Sequence, residues 1–256
     1  MAIIWLDTVD STNNEALGKA DILDNLSVIA AETQTAGKGQ RGNRWFSERG
    51  CNLTFSIVLK DETLALLDAS DQFLITEAVT LALTDYLAGK GIPAKVKWPN
   101  DIYVRDRKIC GVLIENTLYG NRLRRSVVGV GLNVNQRVFP KDLPNPTSMS
   151  LESGRHYDTK DELKEFMVLF RQYADCITDI RVREGMRSRY LERMYRKDEP
   201  HLYHDVIQDS NFTGIIRGIN ATGELVVQMP DGCERTFGFK EISYIVAPAS
   251  GQESYY

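Results

Sequence analysis

Residues 94–135 read AKVKWPNDIYVRDRKICGVLIENTLYGNRLRRSVVGVGLNVN. Within them AKVKWPNDIYV, KICGVLIEN and RSVVGVGLNVN are rich in apolar residues, and the turns between them hold RDR and YGN. Apolar runs with such short connections predict consecutive strands in an antiparallel meander. Pro99 keeps Trp98 out of helical geometry and predicts a rigid corner inside the first run. Gly129 and Gly131, two positions apart, bare one face of the last run. Glycine in a strand marks a bulge, a bend, or the close approach of a ligand or a second backbone.

Upstream, SDQFLITEAVTLALTDYLAGKG (70–91) predicts a helix capped by Ser70, with Leu74, Ala78, Leu81 and Ala82 on its core face and Gly89, Gly91 and Pro93 ending it. NLTFSIVLK (52–60) and the run from Leu26 to Ala31 predict buried strands. IIWLDTVDSTNNEAL reads as strand, turn and helix, and Thr12 with Glu15 has the spacing of a capping box. Downstream, FPKDLPNPTS is a connector. Thr159 and Glu162 repeat the capping-box spacing ahead of a helix whose stripe is Leu163, Phe166, Phe170, Tyr173 and Ile177. The arginines from Arg181 to Arg196 read as a solvated helix face interspersed with Glu184 and Glu192, in preference to a nucleic-acid surface. From about His204, short strands split by NATG and PDG predict a small β-barrel module.

Between two of the predicted strands lies GKGQRGNRW (37–45), where Lys38, Arg41 and Arg44 alternate with glycines. Glycine at this density excludes regular structure and predicts a loop whose backbone can approach a ligand. Backbone N–H groups and cations together form an anion-binding concavity. The whole chain nevertheless carries a net charge of −4 and a pI of about 5.5. That excludes a domain-wide basic field for nucleic acid, so the loop points to a small anion. The length of 256 residues suits one large domain, or a large one with a small partner. Cys51, Cys110, Cys176 and Cys233 have no metal or redox spacing. With no signal-peptide pattern and no long apolar run, the expectation is a cytosolic protein without a membrane segment.

Several side chains suit chemistry. Trp45 could stack on a flat ring or fill a core. Asn100 offers donor and acceptor to a base edge. Asp101 offers a carboxylate to a metal ion or a cation. Lys108 follows the RDR turn, either aimed into a cleft or solvated. Ser11 and Thr12 carry hydroxyls at a helix start, where capping alone would account for them.

In this order, DSTNNEA, AETQTAGKGQRGNRWFS, KWPNDIYVRDRKICGVLIE and VVGVGLNVN, followed by a small β-module, strongly resemble a biotin–protein ligase, also called biotin–[acetyl-CoA-carboxylase] ligase. The resemblance is dense over residues 3–135 and looser beyond. It implies an α+β fold: a mixed, largely antiparallel sheet backed by helices, as in a class II synthetase-like catalytic domain (1–205), then an SH3-like barrel (206–250) and a flexible tail (251–256). It implies activation of biotin by ATP and magnesium, then transfer to a lysine of a biotin carrier domain of a carboxylase. Ser11, Thr12, Asn13 and Gln34 would surround the biotin ring, and Lys38, Gly39 and Gln40 would cover its carboxylate. Lys108 would touch the reacting carboxylate and phosphate, with Gly111, Gly129 and Gly131 giving room. ATP would meet Lys38, Arg41, Trp45, Asn100 and Asn133, and Asp101 would place the metal or the attacking amine. Catalysis would thus rest on Lys108, Lys38 and Asp101. Gln40 departs from the arginine common in the family, which implies weaker retention of the adenylate. The match begins at about residue 3, so no DNA-binding domain or DNA partner is expected, while a homodimer stays open. A lipoate–protein ligase, an octanoyl transferase and a non-catalytic biotin-binding regulator remain rival readings.

Overall fold

The structure, a computed structural model, describes residues 2–246 and 254–255; the side chains of Arg41, Asp61, Ser254 and Tyr255 are outside that description. In chain order the first half contains β1 (Ile3–Val9), α1 (Thr12–Lys19), β2 (Val28–Gln34), β3 (Leu53–Leu59), α2 (Asp61–Leu64), α3 (Phe73–Gly89), β4 (Lys95–Lys97), β5 (Asp101–Val104), β6 (Arg107–Tyr119) and β7 (Arg122–Leu132). The strands form one seven-stranded sheet in the order β1-β2-β3-β7-β6-β5-β4. Only β1 and β2 run parallel, and α1 supplies the crossover that parallel neighbours require. The predicted meander is present, with its first run broken into β4 and β5 at Trp98–Asn100.

Period-two alternation divides the two faces of this sheet. Leu53, Phe55, Ile57 and Leu59 of β3 and Val128, Val130 and Leu132 of β7 belong to the main core. That face is covered by α3, and after α4 (Met149–Ser153) by α5 (Thr159–Thr178) and α6 (Ile180–Glu192). The predicted stripe of α5 is buried from Leu163 to Ile177. α3 is buried nearly all round, beyond its predicted face, because it lies between sheet and helices. The opposite face of the sheet carries Thr54, Ser56, Gly129 and Gly131 and is partly covered by α1 through Ala16 and Ala20 against Ile29, Val58 and Val127.

The helix caps differ from the expected ones. Ser11, not Thr12, precedes α1, and the Thr12 N–H is satisfied from a distance by Gln34 Oε1 (2.8 Å). Asp158, not Thr159, caps α5, accepting from the N–H groups of Lys160 and Asp161. α3 starts at Phe73 after a short 3-10 turn at Ala69–Asp71, so Ser70 is not its cap.

The remaining strands are β8 (Pro200–Asp205), β9 (Ser210–Ile219), β10 (Leu225–Gln228), β11 (Glu234–Phe237), β12 (Ile242–Val246) and β13 (Ser254–Tyr255). They form an antiparallel sheet ordered β11-β10-β9-β8-β12-β13. No ladder joins its two ends among the described residues, so the module expected as a barrel is an open sheet. It takes in Pro200–Asp205, ahead of the expected boundary at 206. Residues 254–255 of the expected tail pair with β12, and its other positions lie outside the described residues. The arginines around α6 serve the fold: Arg187 pairs with buried Glu77, Arg189 and Arg193 with Asp85, and Arg196 donates to Ile245 O. Those partners lie on other elements, not at Glu184 and Glu192.

Candidate active site

A cavity of about 490 Å³ opens on the polar face of the seven-stranded sheet. Its floor is one row of residues in register across four strands: Gly131 opposite Gly111, Gly111 opposite Asp101, and Asp101 opposite Lys97. Directly opposed residues point to the same side of a sheet, so two bare positions are followed by a carboxylate and an ammonium.

The bare positions are in use. A Cβ on Gly131 would meet the Trp45 indole at 2.3 Å, and one on Gly129 would meet Asn13 Oδ1 at 2.0 Å. The glycines admit the loop tryptophan and the first turn of α1 onto the strand backbone. Trp45 Nε1 is buried with no hydrogen-bond partner among the described residues.

A hydrogen-bond chain closes one end of the cavity. Thr12 Oγ1 donates to Gln34 Oε1 (3.2 Å), Ser56 Oγ bridges Thr12 Oγ1 (2.8 Å) and Asn13 Oδ1 (2.6 Å), and Asn13 Nδ2 donates to Glu115 Oε2 (2.7 Å). Ser11, also buried, lines the same end. Because Gln34 satisfies the helix N-terminus, the Thr12 hydroxyl is released from capping into this wall.

Lys108 reaches the cavity through an irregularity. Strand alternation would put it on the core face with Cys110. The pairing runs Ile102 with Cys110 and then Tyr103 with Lys108, so Ile109 is an extra residue. That bulge returns Lys108 to the polar face, the kind of re-aiming bulges provide. Its Nζ pairs with Asp101 Oδ1 at 2.7 Å and lies 5.8 Å from the Trp45 ring centroid. Lys38 Nζ is 3.6 Å from Glu115 Oε1. Gly39, Gln40 and Arg44 complete the loop's side of the wall.

Asn100 is buried and donates to Val112 O, its amide directed at the cavity wall. Asn133 is buried just beyond that wall: Nδ2 donates to Thr147 O (2.9 Å), and Oδ1 has no partner among the described residues. The Arg41 side chain lies outside the described residues. The other expected site residues, from Ser11 to Gly131, line the one cavity.

Four features were absent from the sequence reading. Ser56 and Glu115 hold Thr12 and Asn13. Lys97 is buried on the wall, and Lys240 in the turn before β12, with Ser243 and Tyr244 of β12, forms part of the rim. Lys97 alone gave a signal, as the first residue of KWPND.

The model of the Biotin/lipoate A/B protein ligase family matches residues 5–133. The chain belongs to that family. This ligase is 31% identical over 235 residues to the biotin–[acetyl-CoA-carboxylase] ligase of Paracoccus denitrificans, covering 89% of this chain and 94% of that one. It is 31% identical to the bifunctional ligase/repressor BirA of Escherichia coli over 94% of this chain and 74% of the relative. The ligase also superposes on the biotin protein ligase of Aquifex aeolicus, solved in complex with biotin and ATP, with a TM-score of 0.74 at 25% identity, covering 94% and 97% of the two chains. Among its described residues no helix is long and apolar enough to cross a membrane.

Proposed function

We propose that this cavity carries out both half-reactions of protein biotinylation. The chain is an ATP-dependent biotin–protein ligase: it activates biotin as biotinyl-5′-AMP and passes the biotinyl group to a lysine of a partner protein. The observation that carries the reading is the Lys108–Asp101 pair (2.7 Å) set beside two in-register glycines under a cationic loop. In the first step a biotin carboxylate oxygen attacks the α-phosphorus of ATP, and pyrophosphate leaves with the bonding electron pair. Both reactants are anions, so Lys108 and Lys38 lower the barrier by meeting the charge that collects between them. The Thr12–Asn13–Gln34 wall offers hydroxyl and amide groups to the ureido ring, and Trp45 and Asn100 flank the adenine, with Asn133 buried behind the wall.

Magnesium fits as a companion of ATP. Asp101 is the one carboxylate on the cavity wall among the described residues, and those residues hold no cluster of three or more acidic, His or Cys side chains. One carboxylate with substrate phosphates is how Mg²⁺ is commonly held. Bound there, it would neutralise phosphate charge.

In the second step the acceptor amine attacks the acyl carbon and AMP departs, with Asp101 orienting the amine. The loop covering the mixed anhydride excludes water, which would hydrolyse it. The acceptor is the biotin carrier domain of a carboxylase, and the four free thiols suit the cytosol. The test is incubation with biotin, ATP, magnesium and a carrier domain, with mass spectrometry of the carrier. A biotinyl mass gain on one lysine is expected. Labelling with lipoate instead of biotin would overturn the reading.

A further inference from the structure

Glu115 has no part in the chemistry assigned so far. It stands outside the main cavity, on the wall of a second one of about 370 Å³ that the glycine loop also lines. Alternation along β6 puts Gly111, Leu113 and Glu115 on the same polar face. Along the strand Glu115 therefore follows Leu113, which lines both cavities. The two carboxylate oxygens have different partners. Oε2 accepts from Asn13 Nδ2 (2.7 Å), and Oε1 lies 3.6 Å from Lys38 Nζ. A carboxylate only accepts, so it fixes which way round the Asn13 amide sits. Nδ2 also donates to Leu113 O (3.3 Å), and Oδ1 takes the Ser56 hydroxyl (2.6 Å). Through Ser56 and Thr12 the contacts continue to Gln34, so Glu115 ends a chain that begins at the ring wall. Lys38 lines both cavities. Its pair with Glu115 is partly exposed, 38% and 31% for the two side chains, and such pairs add little stability. What the pair supplies is position. At 3.6 Å the ammonium keeps its three N–H donors for another anion. Lys108, the other cation of the reading, is likewise paired with a carboxylate of the sheet, Asp101.

We propose that Glu115 is a positioning residue that ties recognition of the biotin ring to placement of the loop ammonium: one oxygen fixes the Asn13 amide, and the other holds Lys38 where it meets the reacting carboxylate. The inference rests on the ligase reading above. Glu115 touches no reacting atom and takes no proton. It acts through Asn13 on binding and through Lys38 on rate.

The test uses the full chain. Glu115→Gln keeps an acceptor for Asn13 and removes the charge that holds Lys38, whereas Glu115→Leu removes both. Two quantities are measured: the rate of biotin-dependent ATP–pyrophosphate exchange at saturating biotin, and calorimetric affinity for biotinamide, which keeps the ring and lacks the charged carboxylate. Glu115→Gln should slow exchange about tenfold, as misplacement of a catalytic group does, with biotinamide affinity within about twofold. Glu115→Leu should weaken biotinamide about fivefold as well. In a cycle with Lys38→Met, adding Glu115→Gln should slow exchange by no more than about twofold further, because its effect runs through Lys38. An unchanged exchange rate in Glu115→Gln, a fully additive double variant, or undiminished biotinamide affinity in Glu115→Leu overturns the proposal. Should Glu115→Gln not fold, Glu115→Asp, which draws the carboxylate back by one methylene, must itself slow exchange about threefold, and no change there is equally decisive. A wild-type chain with no biotin-dependent exchange overturns the ligase reading, and the role of Glu115 with it.

Discussion

Gly129 and Gly131 are two residues apart on one strand, yet they make room for different parts of the site. An added Cβ would collide with Asn13 at the first and with Trp45 at the second. Gly129→Ala should therefore weaken biotin binding about tenfold, while Gly131→Ala should raise the ATP KM by a similar factor, as overpacking of about 1–3 kcal/mol does. Calorimetry with biotin and initial rates with varied ATP separate the two, and an identical profile for both variants would contradict the assignment. Lys97 makes a stability prediction of its own. Burial is the largest influence on it and pushes its pKa from 10.5 down to about 8, while Asp101 pulls it up and Lys108 and Arg196 push it down. The folded value lies below the unfolded one, so between them the unfolded chain binds the extra proton. Stability from this group rises as pH climbs from about 8 to 10.5, and the burial cost is complete below 8. Urea unfolding should show Lys97→Met more stable than wild type at pH 7, by at most about 3 kcal/mol less the contribution of the Tyr103 and Tyr244 ring faces beside it, with the gap narrowing by about pH 10. A gap that stays flat or widens across that range would show that Lys97 is not desolvated in the folded chain.

At the scale of elements, the loop from Gly37 to Trp45 is folded back on itself by Gly39 N–H to Asn43 O (2.7 Å) and Trp45 N–H to Gly37 O (3.0 Å). Gln40 lines the cavity from this loop, where an amide supplies no charge. Gln40→Arg should slow release of biotinyl-5′-AMP by about tenfold, the effect of replacing a neutral contact with a charge-assisted one. A filter-binding chase that gives the same off-rate for both proteins would refute this. The loop was readable because glycine and cations at that density have few other uses, and the α5 stripe because a helical period of large apolar residues is a local signal. The bulge at Ile109 was not readable: it exists only in the pairing of β6 with β5, and KIC reads alike with or without it. Thr12 and Thr159 were expected as caps on local spacing, but Gln34 and Asp158 satisfy those N–H groups, one of them from another strand. Ser56 and Glu115 escaped notice for the same reason, since a serine in NLTFSIVLK is only a polar residue until β3 is paired with β7.

Across the whole molecule, the two sheets share one core rather than meeting at a polar joint. The main apolar cluster runs from Val28 and Phe55 through Phe73 and Tyr190 to Tyr203, Leu225 and Phe237. Trp98 Nε1 donates to Gly223 O (2.8 Å), Arg187 Nη1 donates to Asn220 O (3.0 Å), and Tyr244 brings the second sheet to Lys97. The candidate site is therefore lined by residues that both sheets bring to one cavity. Gly223 is a sensitive point in that junction: its φ is +88°, and a Cβ would lie 2.3 Å from the Phe73 ring. Gly223→Ala should cost about 2 kcal/mol or more, through backbone strain and displacement of Phe73 together. Because Phe73 belongs to the shared cluster, the cost should fall on the whole chain. Native-state hydrogen exchange should show protection lost equally in the slowest amides of β3, β7 and β9, and thermal unfolding should remain a single transition. If β9 and β10 lost protection while β3 and β7 kept theirs, the second sheet would be an independent unit, and its contribution of Tyr244 and Lys240 to the cavity could not be a fixed feature of the site.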